Sequence, residues 1–451
     1  MRLRVLGLSL TPLVLLLGVV GLNATAQGPA VDAAGNLPQW RGPNRDGIST
    51  DRGLLQSWPD SGPRKIFTVQ GLGVGFSSVA VTGGRIYTMG DRRDGQYALA
   101  FNETDGKPLW ATRVGEVHQD EYGGPRGTPT VEGDSVFVLS SDGTLVAMDA
   151  ATGLHKWSKS LTRDYRAPTP GWLFAESPLV DGPHVMVSPG TSGAAMVALD
   201  KTTGKEVWRS QATGSDSGGA AGPEYSSMVI SNGGGVKQYV RLARRGVIGV
   251  RASDGRFLWG YGRVANGTAN IPTPVIKGDL VFASSGYQAG AALLKLTPAP
   301  DGRVTASEKY FLEGRTFQNH HGGMVLIGNH VYAGHGHNAG FPMCIELATG
   351  KVVWGGNFRN NGSGSAAVTA ADGQLYFRYE NGVMMLIEAT PEAYREKGKF
   401  QIPGVRDPSW SHPVVTGGRL YLREQDALHV YDVRRCPASV WGAEVLTCFW
   451  C

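Results

Sequence analysis

The chain has 451 residues, of which 41% are hydrophobic and 18% are charged, and its formal net charge is +5 at pH 7. This composition supports a large buried core and excludes a disordered or collagen-like chain, and the near balance of charges gives no indication of a nucleic-acid partner. Glycine, with 65 residues, is about twice as frequent as usual, which favours a fold of many short strands and tight turns.

The first 26 residues have the features of a secretory signal peptide. Arg2 and Arg4 precede an apolar run from Val5 to Leu22, and Ala24-Thr25-Ala26 forms a small-x-small cleavage site. We therefore expect an exported protein, periplasmic or extracellular, with no membrane span after cleavage. An uncleaved membrane anchor is the alternative, which Pro12 and the glycines of the run disfavour.

A tryptophan recurs along the chain at a period typical of repeat proteins. Trp110, Trp157, Trp208 and Trp259 are separated by 47, 51 and 51 residues, and Trp354 follows after 95, with Phe311 in the intermediate position and Phe400 in the next. Each of the five tryptophans has a glycine four residues before it. Because Asp followed by Thr-Gly makes a tight turn, each tryptophan is predicted on the strand after that turn, where its ring docks between neighbouring sheets.

Upstream of each turn lies a hairpin pattern of apolar alternation, a turn-forming pair and renewed alternation. Val81–Tyr87 (VTGGRIY) and Val131–Phe137 (VEGDSVF) are two copies. Eight such units, each predicting four strands, are typical of the blades of a β-propeller. The segment from Pro391 to Lys399 is predicted to form a short helix.

The two ends of the repeat predict how the ring closes. The eighth unit, from His412 to Val433, has room for three strands, whereas Lys65–Val69 is a strand-like segment before the first unit. Pairing that segment with the last unit would leave no open sheet edge. The sequence therefore predicts an all-β, eight-bladed propeller with four-stranded antiparallel blades over residues 63–434, closed by an N-terminal strand. Separate β-sandwiches are the alternative.

The remaining segments lie outside the repeat. Residues 1–26 are predicted as the signal peptide, 27–62 as an N-terminal extension and 435–451 as a C-terminal tail. The tail holds Cys436, Cys448 and Cys451, and an oxidising compartment would permit a disulfide there, although the sequence specifies no pairing.

Two motifs resemble a known family. The copies Ala147-x-Asp149-x-x-Thr152-Gly153-x-x-x-Trp157 and Ala198-x-Asp200-x-x-Thr203-Gly204-x-x-x-Trp208 resemble the tryptophan-docking motif of propellers of the pyrroloquinoline quinone (PQQ) type. The segment Gln39–Gly47, QWRGPNRDG, resembles the opening of exported PQQ-like repeat proteins of environmental bacteria. The resemblance implies the propeller fold over residues 64–434. It leaves catalysis open, because this fold serves alcohol and sugar dehydrogenases and also a noncatalytic scaffold that helps to insert outer-membrane proteins.

In such a propeller, the segments that join the outer strand of one blade to the inner strand of the next converge on one mouth of the central channel. These segments predict a binding face with both signs of charge, aromatic rings and imidazoles. Its predicted members are Arg126, Trp172, Glu176, Glu224, Tyr225, Asn270, His320, His321, Asn361, Trp410 and His412.

The resemblance to calcium-dependent quinoprotein dehydrogenases implies a Glu and an Asn as cation ligands, an Asp as base and two adjacent cysteines beside the cofactor. Glu176 and Asn270 occupy suitable positions. The sequence has Gln318-Asn319-His320-His321 where the Asp would be expected, and no two cysteines are adjacent. PQQ with Ca²⁺ is therefore a cofactor without a full predicted site, and no catalytic residue is identified. The candidate cofactor-binding residues are Arg126, Glu176, Asn270, His320 and His321.

Five of the ten histidines lie in the predicted sixth blade. His335-Gly336-His337 on a strand would point both imidazoles to one face, and with His320 or His321 they could bind copper or zinc. The alternative is a hydrogen-bonded rim without metal. Cys344 takes the alanine position of the docking motif and is expected to be a small, buried packing residue.

These observations favour one function and leave a second open. We expect a noncatalytic binding or interaction module, monomeric, that engages a protein, a glycan or a small-molecule ligand at the propeller rim. A PQQ- or metal-dependent dehydrogenase acting on alcohols or sugars is the alternative.

Overall fold

The computed structural model describes residues 1, 35–118, 121–211, 224–406 and 408–435. The described residues form eight antiparallel sheets of four strands each, which confirms the predicted all-β, eight-bladed propeller. The predicted signal peptide and the three cysteines of the C-terminal tail lie outside the described residues. None of the helices in the described part of the chain is long and apolar enough to span a membrane.

The first four blades follow one another along the chain. Their strands are β2 (Ala80–Thr82), β3 (Arg85–Arg92), β4 (Gly95–Asn102) and β5 (Pro108–Gly115); β6 (Thr130–Glu132), β7 (Ser135–Leu139), β8 (Thr144–Asp149) and β9 (His155–Ser160); β10 (Leu179–Asp181), β11 (His184–Val187), β12 (Met196–Asp200) and β13 (Glu206–Ser210); β14 (Val229–Ser231), β15 (Gln238–Ala243), β16 (Gly246–Arg251) and β17 (Phe257–Tyr261).

Blades 5 to 7 continue the pattern. Their strands are β18 (Val275–Lys277), β19 (Leu280–Ser285), β20 (Gly290–Pro298) and β21 (Val304–Leu312); β22 (Met324–Ile327), β23 (His330–His335), β24 (Phe341–Glu346) and β25 (Val352–Gly355); β26 (Ala366–Ala371), β27 (Gln374–Tyr379), β28 (Val383–Glu388) and β29 (Glu396–Gln401). A short helix, α1 (Leu161–Tyr165), follows β9, and a 3₁₀ turn spans Gly233–Gly235.

Blade 8 closes the ring with a strand from the other end of the chain. It contains β30 (Val414–Thr416), β31 (Arg419–Glu424), β32 (Ala427–Asp432) and, as its outer strand, β1 (Lys65–Val69). Strand β1 pairs antiparallel with β32, with Thr68 opposite His429 and Val69 opposite Leu428. This pairing confirms the predicted closure by the N-terminal strand.

The recurring aromatic rings lock each blade to the next. In the turn before β9, Asp149 Oδ1 accepts hydrogen bonds from the backbone N–H groups of Ala151 and Thr152, and Gly153 has φ +73°. The ring of Trp110 covers Gly153, so that a Cβ there would lie 2.6 Å from Cδ2 of the indole. Trp110 Nε1 donates to the carbonyl of Ala150 at 3.1 Å. The indole thus seals the turn of the following blade.

The same contact recurs around the ring with different residues. Trp157 and Trp208 repeat it on the next two blades, and Phe67 of β1 packs against Gly106 of blade 1. In blade 5 the prediction that Phe311 takes the docking position is wrong. Tyr310 covers Gly350 and donates its hydroxyl to the carbonyl of Leu347 at 2.7 Å.

Two other docking residues depart from this contact. Trp354 Nε1 donates to the carbonyl of Thr390 in the following blade at 2.8 Å. Trp259 Nε1 instead donates to Gln238 Oε1 of its own blade at 2.6 Å. Cys344 is fully buried and lies opposite Trp354 in the sheet.

The predicted helix at Pro391–Lys399 is also wrong, because residues from Glu396 onward belong to β29. As the outer strand of blade 7, β29 is largely exposed, and its charged residues remain solvated there. Charge alone therefore does not distinguish such a strand from a short surface helix.

A segment of the N-terminal extension fills the central channel. The first strands of neighbouring blades contact one another and so line this channel. Residues 35–49, here called the plug, reach the first strand of every blade or the residues just before it. The plug contacts join Leu37 to Val81, Pro38 to Val131, Arg45 to Ser177 and Met228, Trp40 to Thr273, Arg41 to Met324, Ser49 to Ala370 and Asn36 to Thr416. The plug therefore holds all eight blades through one short segment.

Candidate functional site

A cavity of about 290 Å³ lies at the channel mouth, above the plug. Its walls are formed by the segments that lead into the inner strands, as the sequence predicted for the binding face. Seven of the predicted residues line it: Arg126, Trp172, Tyr225, His320, His321, Trp410 and His412.

Four other predicted members of the binding face do not line this cavity: Glu176, Glu224, Asn270 and Asn361. The carboxylate of Glu176 accepts a hydrogen bond from the backbone N–H of Ser188, and its Oε2 lies 3.6 Å from Arg241 Nε. Burial raises the pKa of Glu176, while Arg241 opposes the shift. One carboxylate oxygen is therefore held by the blade, and Oε2 faces Arg241 without a hydrogen bond in the described structure.

Glu224 and Asn270 hold each other and the neighbouring loops. Glu224 Oε2 accepts from the backbone N–H of Asn270 at 3.0 Å, and Oε1 lies 3.3 Å from Arg244 Nη1. The amide of Asn270 accepts from the N–H of Asn266 and donates to the carbonyl of Arg244. Asn361 is exposed, and its Oδ1 accepts from Lys399 Nζ. The oxygens of these side chains therefore serve as links between loops.

His320 is held in a defined orientation in the cavity wall. Ser365 Oγ donates its single proton to the carbonyl of His337 at 3.1 Å, so it accepts from His320 Nδ1 at 2.9 Å. His320 Nε2 then accepts from the hydroxyl of Tyr287 at 3.3 Å. Burial, with a contribution from His337, lowers the pKa of His320 to about 3. The imidazole is therefore neutral at physiological pH.

The other cavity histidines are neutral for the same reason. The ring of His320 lies 3.6 Å from that of His321 and 4.0 Å from that of His337, measured between centroids. Burial lowers the pKa of His321 well below its usual range and that of His412 to about 3, to which Arg41 contributes. His412 Nε2 donates to the carbonyl of His321 at 3.1 Å, which leaves Nδ1 as an acceptor. These imidazoles therefore add hydrogen-bonding groups without adding charge.

His335 does not join this cluster. Strand β23 ends at His335, and Gly336 adopts φ +89°, so the strand alternation that would have aligned His335 with His337 is broken. His335 Nδ1 accepts from the backbone N–H of Gln318 at 3.2 Å. In the described part of the chain, no group of three or more His, Cys, Asp or Glu side chains has an arrangement that could hold a metal ion.

Aromatic rings form most of the remaining wall. Trp410 is at the centre of one cluster, with ring centroids 4.9 Å from Phe76, 4.9 Å from Tyr122 and 4.7 Å from His321. Trp172 and Tyr225 form a second pair, 5.9 Å apart. These faces offer stacking surfaces for a flat ligand.

The sequence reasoning missed several lining residues. Trp40 and Arg41 come from the plug, and Trp40 lies 4.5 Å from the ring of His412. Tyr287 adopts φ +55° in the tight turn between β19 and β20, and Glu380 follows β27. The QWRGPNRDG segment was the available signal for the plug residues, although no repeat pattern places it in the channel.

Charge in the cavity is carried by few groups. Among the lining residues described, the cations are Arg41 and Arg126 and the anion is Glu380. Arg126 donates to the carbonyls of Gly124 and Tyr122. Glu380 Oε2 accepts from the backbone N–H of Ser365 at 3.0 Å. With the histidines neutral, the lining carries a small positive excess.

Comparison with known proteins identifies the family. A family model described as "Outer membrane protein assembly factor BamB" matches residues 30–169 and 94–356. The tetrathionate hydrolase of Acidithiobacillus ferrooxidans is 23% identical over a 446-residue alignment covering 88% of this chain and 82% of that protein. BamB of Yersinia pestis is 26% identical over 177 residues, which cover 39% of each protein.

A solved europium-containing methanol dehydrogenase superposes with a TM-score of 0.62 at 12% identity, over 87% of this chain and 89% of that chain. At this identity the likeness shows the fold alone. Because the family model matches well over half of the chain, the protein belongs to the PQQ-like β-propeller family that includes BamB.

Proposed function

We propose that this chain is a noncatalytic binding propeller whose cavity receives a small ligand through the channel mouth. One observation carries the proposal: a cavity of about 290 Å³ is walled by aromatic rings and neutral imidazoles and is closed below by the plug. Its volume lies just below the range of about 300 to 1,000 Å³ typical of small-molecule sites. The cavity therefore suits a compact ligand better than a polymer.

The lining also limits the chemistry of that ligand. Trp172, Tyr225 and Trp410 offer flat faces for stacking, and the imidazoles offer donors and acceptors that fix an orientation. The positive excess disfavours a cation. We infer a neutral or anionic ligand with a flat or ring-shaped part.

A calcium-dependent quinone does not fit these residues. Calcium takes about six to eight oxygen ligands, whereas the carboxylate of Glu176 faces Arg241 and that of Glu380 accepts from a backbone N–H. The amide oxygen of Asn270 accepts from Asn266. The dehydrogenase alternative therefore receives no support from this cavity.

A protein partner is a second candidate. A relative is named an outer membrane protein assembly factor, and the exposed outer strands here carry apolar side chains, among them Leu109, Val207 and Val353.

We propose export with cleavage after residue 26 for either function, on the basis of the apolar run that follows Arg2 and Arg4.

Ligand binding can be tested with purified protein and a set of small aromatic acids, amides, purines and sugars, followed by thermal shift and by tryptophan fluorescence. We expect saturable binding that Trp410→Ala and Tyr225→Ala weaken. Leu154→Ser, on an outer turn where the side chain is 69% exposed, is the matched control and should bind as the wild type does.

The competing function is tested in parallel by adding PQQ with Ca²⁺ and following absorbance and dye reduction with alcohols and sugars. Stoichiometric uptake of PQQ with turnover would overturn the proposal. If both cavity variants bind the ligand as tightly as the wild type does, the ligand site lies elsewhere on the protein.

A further inference from the structure

Arg41 differs from the other buried arginines in having unused hydrogen-bond donors. The residue is 7% exposed, and Nη2 donates to the carbonyls of Asp46 at 3.0 Å and Met324 at 2.5 Å. Within the described residues, Nε and Nη1 make no hydrogen bond and the guanidinium forms no salt bridge. Burial lowers the pKa of Arg41 to about 10, with Asp46 opposing, so the group keeps its charge at neutral pH.

Other buried arginines of the propeller have their donors satisfied or a carboxylate beside them. Arg378 pairs with Glu424 at 2.8 Å, and Arg241 lies 3.6 Å from Glu176. Arg45, which also belongs to the plug, bonds to Gln39 and to three backbone carbonyls. A buried cation with unpaired N–H groups is costly, and its cost is relieved when an anion binds.

Arg41 lines the floor of the cavity, and one of its unused donors, Nη1, lies beside Gly323. A Cβ on Gly323 would lie 2.3 Å from Arg41 Nη1 and 3.2 Å from His412 Cε1, and all three residues line the cavity. Gly323 therefore gives the guanidinium its space. Trp410 Nε1 is a further buried donor without a hydrogen bond in the described structure, and it belongs to the same cavity.

We propose that Arg41 anchors the anionic group of the ligand, a carboxylate or a sulfur oxyanion, at the floor of the cavity. The inference rests on the proposed binding function and makes it more specific: the plug supplies both the floor and the charge. The stacking walls then hold the uncharged remainder of the ligand. The two sources of anion share the same chemistry, a negative oxygen that accepts N–H donors.

The test is isothermal titration of the full chain at fixed ionic strength with benzoate, its uncharged counterpart benzamide, and tetrathionate. We expect at least one of the two anions to bind, and to bind about tenfold or more tightly than benzamide, because a charge-assisted hydrogen bond contributes about 1.5 to 3 kcal/mol. Benzoate and tetrathionate distinguish an organic carboxylate from a sulfur oxyanion.

The variant Arg41→Gln should weaken binding of that anion about tenfold and leave benzamide unchanged. Arg52→Gln, an identical change at an exposed arginine of the same extension, is the control and should bind as the wild type does. Should Arg41→Gln fail to fold, Arg41→Lys and competition by sulfate on the wild type replace it, and both should weaken anion binding.

Two results overturn the anchor. Equal affinity for benzoate, tetrathionate and benzamide in the wild type would do so, as would unchanged anion affinity in Arg41→Gln. If uncharged ligands still bind and Trp410→Ala still weakens them, the binding function stands and the anchor alone fails. If none of the probes or screened compounds binds the cavity, both proposals fail.

Discussion

The contact between an indole and the glycine of the next blade predicts the cost of a single methyl group. Gly204 has φ +69°, and a Cβ there would lie 2.6 Å from Cε3 of Trp157. Gly182, in another turn of the same blade, has φ +58°, and a Cβ there would have no atom of the described residues within 4 Å. Both substitutions to alanine impose left-handed backbone strain of about 1 to 2 kcal/mol. Only Gly204→Ala adds an overlap with the indole, which costs about 1 to 3 kcal/mol more.

The assay is guanidinium denaturation of Gly204→Ala and Gly182→Ala, each in the wild type and in a Trp157→Leu background. We expect Gly204→Ala to lower the free energy of unfolding by about 1 to 3 kcal/mol more than Gly182→Ala does. In the Trp157→Leu background this difference should nearly vanish, because the overlapping ring is gone. Equal losses in the wild type, or a difference that survives without the indole, would refute the docking role of the contact.

Three further outcomes follow from buried polar groups. His320 has a pKa of about 3 in the folded state, below its unfolded value, so the folded protein binds fewer protons than the unfolded chain. The free energy of unfolding should therefore fall as the pH falls from about 6.5 towards 3. His320→Gln should make this pH dependence less steep in melting curves recorded at several pH values. Ser365→Ala removes the acceptor of His320 Nδ1–H and should cost about 1 to 3 kcal/mol in chemical denaturation, and an unchanged free energy of unfolding would contradict this role of Ser365. Glu424→Gln breaks the buried pair with Arg378 and should cost about 3 to 5 kcal/mol, whereas the double variant Arg378→Met/Glu424→Leu should recover much of the loss.

The fold was predictable because its signals are local and repeated. A turn such as Asp149-x-x-Thr152-Gly153 fixes its own backbone, and its recurrence indicates the blades without any long-range information. The substitution of Tyr310 for tryptophan was missed because the choice between adjacent aromatic residues depends on the register of β20 and β21. That register places Leu293 opposite Tyr310, with a bulge immediately after the pair.

The site was predictable only in part, because loop position does not determine where a side chain points. The prediction correctly brought His320 and Trp410 to the channel mouth, since both precede inner strands. It also placed Glu176 there, yet the proximity of Arg241 and the N–H of Ser188 turns that carboxylate into the blades. The plug was missed for another reason: it contacts residues as far away as Thr416, and no local pattern encodes such a pairing.

Positions at which a blade departs from the repeat indicate which residues serve ligand binding. Four residues before the last residue of the inner strand, five blades carry a small hydroxyl residue, and three of these link neighbouring blades. Ser78 Oγ donates to the carbonyl of His412 at 2.8 Å, Ser177 Oγ accepts from the N–H of Thr128, and Ser227 Oγ accepts from that of Ser177, both at 2.9 Å. Blades 6, 7 and 8 have other residues at this position. The five hydroxyl positions are Ser78, Thr128, Ser177, Ser227 and Thr273, and the three departures are Gly323, Ala367 and His412.

Two of the three departures flank Arg41. Gly323 leaves room for the guanidinium, and His412 places an imidazole beside it. A hydroxyl residue at these two positions would keep the pattern of the first five blades, so Gly323 and His412 call for a separate reason. Accommodation of a charged side chain from outside the repeat supplies that reason. In a propeller of this family, ligand specificity should therefore depend on the plug residues and on the blade positions that leave space for them, whereas the docking motif indicates only the fold.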